Sequence, residues 1–86
     1  HLLNPLVLHR NTLWSFIKVD FDLLESAEKV NVRLVDGFGR PVIKDVLTNT
    51  KSGTYTFNTE KLPSGNYYVI INNGTGVAVR PVVIMK

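Results

Sequence analysis

Leu62-Pro63-Ser64-Gly65-Asn66-Tyr67-Tyr68-Val69-Ile70-Ile71 runs straight into Asn72-Asn73-Gly74-Thr75-Gly76. A Pro-Ser-Gly turn signal opens onto an aromatic and β-branched run, and an Asn- and Gly-rich turn closes it. The segment is a strand with both ends marked. Gly65 is expected to relieve the chain where it turns into that strand.

The same grammar repeats outward. Leu6 to Arg10 is a short strand after Pro5, and Asn11-Thr12 reads as a turn. Leu13 to Phe21 alternates Phe16, Lys18 and Asp20 against Ile17, Val19 and Phe21. Asp22 to Glu28 reads as a connecting loop, although Asp22-x-x-Glu25 has the form of a capping box for one helical turn. Lys29 to Val35 alternates again, and Asp36-Gly37-Phe38-Gly39 is a turn in which Asp36 bonds its own backbone. Arg40 to Leu47 is a strand that Pro41 places at an edge; Thr48 to Gly53 reads as a polar loop. Thr54 to Asn58 is a strand, and Thr59 to Gly65 leads into the marked one. Val77 to Met85 closes the chain as a strand in which Pro81 implies an edge or a bulge.

About seven short strands at roughly ten-residue spacing predict an all-β, Ig-like or fibronectin type III-like antiparallel sandwich. One domain spanning residues 1–86 is expected. Its expected core is Phe16 or Ile17 with Val19, Val30, Val32, Leu34, Val42, Phe57, Leu62, Tyr67, Val69, Ile71 and one face of the last strand. In such a sandwich Tyr67 can tuck its ring inward and bond its hydroxyl to upstream backbone, which makes it a corner tyrosine.

Composition narrows the function classes. A chain of 86 residues without cysteine has no disulfide framework, thiolate metal site or thiol chemistry. The longest apolar runs, Tyr67 to Ile71 and Val82 to Met85, are too short to cross a bilayer. The opening His1-Leu2-Leu3-Asn4-Pro5, without Met, reads as a processed or excised fragment with no visible signal peptide. The net charge is +3, but the ten basic residues are scattered without interleaved aromatics, so no nucleic-acid partner is expected.

No catalytic, cofactor-binding or metal-binding set emerges. His1 and His9 have no serine or acid placed to complete a triad. Asp20, Asp22 and Glu25 lack the glycine-shaped loop and the oxygen count of a calcium site. Gly37-x-Gly39 precedes no helix that could hold a phosphate. Asn73-Gly74-Thr75 fits a glycosylation sequon, yet Asn-Gly is equally a hairpin turn pair. Trp14 is expected to be half-buried, and Phe38, at a turn tip, is the better contact residue.

Asn4-Pro5 stands near the start, and Val19, Phe21, Leu23, Ala27, Val30, Val32, Leu34, Asp36 and Gly39 follow a strand–loop–strand–turn pattern. Leu62, Gly65 and Tyr67 form Leu-x-x-Gly-x-Tyr, and Arg80 through Lys86 is a basic-then-aliphatic ending that finishes with lysine. In these features the chain resembles the C-terminal sorting domain of type IX secretion substrates of Bacteroidota, whose tails often begin where Asn4-Pro5 stands. The resemblance implies a non-enzymatic Ig-like sandwich read by a protein partner in the outer-membrane export machinery, and often removed afterwards. It implies a secreted, cell-surface or periplasmic location in a Gram-negative bacterium. The implied recognition residues are Leu62, Gly65, Tyr67, Arg80, Val83 and Lys86. Other small secreted Ig-like sandwiches of the same bacteria share Leu-x-x-Gly-x-Tyr. The alternative is therefore a stand-alone interaction module for a protein or glycan, with an edge strand open to self-association.

Overall fold

The computed structural model describes residues 6–10 and 13–86; His1, Asn4-Pro5 and the Asn11-Thr12 turn lie outside them. Its strands are β1 (Val7–Arg10), β2 (Phe16–Asp36), β3 (Pro41–Asn58), β4 (Gly65–Asn72) and β5 (Val77–Ile84). All are antiparallel and belong to one sheet, in the order β1-β2-β4-β5 with β3 also paired to β2.

The chain is all-β as expected, but about seven separate strands is corrected to five in an open, curled sheet. The two presumed loops, Asp22 to Glu28 and Thr48 to Gly53, are strand. They join neighbouring segments into β2 and β3. Leu23 explains the first error. At 1% exposure it extends the inward alternation of Val19 and Phe21, which no surface loop would need. The second stretch looked like a loop because it is polar. It is polar because β3 is an edge strand whose outer side meets water.

The curl arises where the ladder breaks. Asp22 pairs with Ser52 and Ala27 with Thr50, so Leu23 through Ser26 on β2 face only Lys51 on β3. Such a bulge bends the strand and increases its twist. Close by, Asn49 takes φ 48°, a left-handed conformation that asparagine tolerates. The first half of β2 lies between β1 and the end of β3; the second half lies between the start of β3 and β4. Hydrogen bonds that join the halves include one from Tyr55 Oη to Asp45 Oδ2 at 3.0 Å and one from an Arg80 guanidinium N–H to the Leu6 carbonyl at 2.8 Å.

Both halves feed one hydrophobic cluster. Ile17, Val19, Phe21 and Leu23 come from one half of β2 and Val30, Val32 and Leu34 from the other. Phe57, Tyr67, Val69, Ile71 and Ile84 add to it, with Leu6 at its margin. Most of the expected core is there, with Ile17 rather than Phe16 pointing in. Trp14 is more buried than expected and joins the cluster. Val42 is the correction, at 39% exposed. The register shift after Leu34 passes from Ile43 to Pro41 and skips Val42, while Ile43, opposite Leu34, packs on the core instead.

Candidate functional site

One end of the sheet collects segments that are far apart in sequence. Asp36 at the end of β2 pairs with Tyr67, and Gly65 at the start of β4 pairs with Ile84 near the end of β5. The Asp36–Arg40 turn, the Thr59–Gly65 connection and Lys86 therefore meet at this end.

The connection is fastened from below. Thr59 is fully buried, donates its hydroxyl to the Trp14 carbonyl at 2.7 Å, and its amide donates to the Ser15 carbonyl at 3.0 Å. Tyr67 is 4% exposed, and its hydroxyl donates to the Pro63 carbonyl at 2.7 Å. This is the corner tyrosine read from the sequence. Leu62 is half-buried and packs against the core from the outside.

Lys86 closes the site from the other side. Its amide donates to Ser64 Oγ at 2.9 Å, and its ammonium donates to the carbonyls of Thr59 and Glu60 at 2.8 and 2.6 Å. Neither the spacing nor the residue types of the sequence signalled these bonds.

The opposite wall is the β2–β3 turn. Asp36 Oδ1 accepts from the amides of Phe38 and Arg40 at 2.9 and 3.0 Å, and Oδ2 accepts from Arg40 Nε at 2.9 Å. The Arg40 amide, followed by the Phe38 amide and the Arg40 side chain, holds the Asp36 carboxyl below its ordinary range. Gly39 takes φ 82°, which a Cβ would resist. The turn is thus rigid, and it carries Phe38 at its tip, 87% exposed with Arg40 stacked over the ring.

Between turn and connection lies an open groove of about 440 Å³, lined by Phe38, Arg40, Pro63, Ser64, Gly65 and Asn66 among others. Gly65 is in it for no folding reason. Its φ is not positive, and an added Cβ would meet Tyr67 Cε2 at an ordinary 3.7 Å. The strain relief expected of it from the sequence is therefore not what the backbone requires.

The remaining sequence candidates divide. Val83 lies on the outer face opposite Asn66, next to the groove. Arg80 lies away from it, opposite Val69, and serves as the clasp to Leu6. The other polar candidates are occupied locally. Asp20 accepts from Thr54 at 2.6 Å and contacts His9 at 2.9 Å, and Thr54 first, then His9, lowers its pKa. Asn73 Oδ1 accepts from the amides of Thr75 and Gly76, closing its turn. No helix among the described residues is long and apolar enough to cross a membrane.

Fold and groove together define a small antiparallel β module whose groove is lined by backbone, small side chains and one rigid aromatic. The chain belongs to the secretion system C-terminal sorting domain family, whose profile matches residues 13–85. Domains of this family are non-catalytic sorting signals for type IX secretion, and they direct export in Gram-negative bacteria through the secretion machinery. No curated protein matches the chain.

Proposed function

We propose that the groove between the Phe38 turn and Pro63–Asn66 is the surface that the export machinery reads. In this reading Gly65, Tyr67, Leu62 and Lys86 act together. Tyr67 and Leu62 hold the connection, Lys86 closes its far side, and Gly65 leaves room for the partner's backbone. Val83 extends the surface, whereas Arg80 contributes only by joining the halves of the sheet. The observation that carries the reading is Gly65, a small residue in a groove wall that folding does not require to be small.

The test is a fusion of this chain to a folded periplasmic reporter in a bacterium with a type IX apparatus. Export of the reporter is expected. Gly65→Ala and Phe38→Ser should leave the melting temperature within a few degrees, because neither position is buried or strained. Both should hold the reporter in the periplasm. Normal export of both variants would refute the groove.

The same reading gives the chain itself no catalytic role and places it at the cell surface or outside the cell after transport. Its sheet supports an Ig-like kinship: halves ordered β1-β2-β3 and β3-β2-β4-β5 share one core and are joined by Tyr55–Asp45 and Arg80–Leu6. The outer edge of β5, with Val77, Val79 and Val83 exposed beside it, is open to a strand of a partner or of a second copy. A strictly monomeric protein at millimolar concentration by light scattering would remove the second copy.

A further inference from the structure

We propose an oxyanion-binding site on the outer face of the sheet, formed by Arg33 and Lys44 with Asn31 and Asn72. It is separate from the groove and independent of the sorting reading. Arg33 and Lys44 are scattered members of the basic set in the sequence, but the β2–β3 register sets them directly opposite each other. Asn31 and Asn72 are likewise opposite each other across β2 and β4. Because Val30, Val32 and Leu34 point into the core, Asn31 and Arg33 point out.

Two like charges opposite each other on adjacent strands, with Cβ atoms about 5 Å apart, are destabilising unless compensated. Among the described residues neither cation has a carboxylate partner; the ion pairs are His9–Asp20, Arg40–Asp36 and Lys51–Asp22. Asp45 also borders the site, but its carboxylate is engaged by the Tyr55 hydroxyl and the Val46 amide. Among the described residues Arg33 Nε, which is buried, finds no hydrogen-bond partner, an uncommon state for a charged donor.

These four side chains, with Asp45 and Val46, line an open depression of about 700 Å³. A guanidinium fork, an ammonium and two carboxamides fit a carboxylate or a phosphate, which the guanidinium binds through two parallel N–H donors. A planar carboxylate and a tetrahedral phosphate each present a pair of anionic oxygens to the guanidinium fork, so the shared chemistry is the oxyanion.

The test is NMR titration of the intact chain at neutral pH and constant ionic strength. Inorganic phosphate is one probe and a short polyglutamate peptide the other. Saturable shifts are expected at Arg33 Nε–H and at the side-chain amides of Asn31 and Asn72. Lys44 is exposed, so Lys44→Gln should keep the fold and weaken binding about threefold, the effect of one screened charge. Arg33→Gln should abolish the response. Saturation by phosphate identifies a phosphate source, and saturation by polyglutamate identifies an acidic peptide; either supports the site. Shifts that never saturate, or that are unchanged in Lys44→Gln, overturn it.

Discussion

At the scale of single residues, Tyr67 and Asp36 show two ways of stiffening the groove. Tyr67 combines a buried ring with one hydrogen bond to Pro63. Tyr67→Phe keeps the ring and is expected to cost about 1 kcal/mol, while Tyr67→Ala should cost about 3–5 kcal/mol, both read by chemical denaturation. Asp36 works through charge. Its folded pKa lies below the ordinary 3.8, as does that of Asp20, where the Thr54 hydroxyl is the main cause. A carboxyl with a depressed folded pKa stabilises the fold at pH above its unfolded value. That contribution is lost as pH falls through the folded value. Melting temperature should therefore decline below about pH 4, and the decline should be shallower in Asp36→Asn with Asp20→Asn. Equal slopes in the double variant and the parent would contradict this. The Asp36 turn was legible because Asp before Gly has a local reason to bond its own backbone. The bonds of Lys86 were not legible, because they join residues that only the sheet brings together.

At the scale of elements, the instructive case is the middle of β2. Charged residues at Glu25 and Glu28 around Ala27 read as a connection, which places the end of the alternation at Phe21. Burial of Leu23 shows that it continues one step further, into the first residue of the bulge. Leu23→Ala is expected to cost about 2–5 kcal/mol, whereas Leu24→Ala, on the exposed side, should change stability by less than about 0.5 kcal/mol. Urea midpoints of the two variants would distinguish a bulged strand from a free loop, which would make both losses small. The prolines were legible: Pro41 begins β3 and Pro81 lies within β5, and both strands have a free side. Strand continuity was not legible, because a bulge has no composition of its own and an edge strand shares the polarity of a loop.

At the scale of the whole molecule, Lys86 is where the proposed recognition role can be tested apart from folding. Its side chain bonds exposed or part-buried carbonyls, so Lys86→Ala should cost less than about 1 kcal/mol. Reporter export should nevertheless fall, with the folded protein recovered from the periplasm. Export that declines only in step with the melting temperature would show that Lys86 serves the fold alone. By itself the sequence determined that the chain is all-β, where most strands lie, which aliphatic side chains point inward, and that Tyr67 bonds back to its own connection. Those features depend on alternation and turn chemistry within a few residues. Only the tertiary structure decided that the strands fuse into one curled sheet. It also placed Gly65 beside Phe38, separated Arg80 from the groove, and set Arg33 opposite Lys44. Each of these follows from register between strands, which a bulge of a few residues shifts without changing the local pattern that marks a strand.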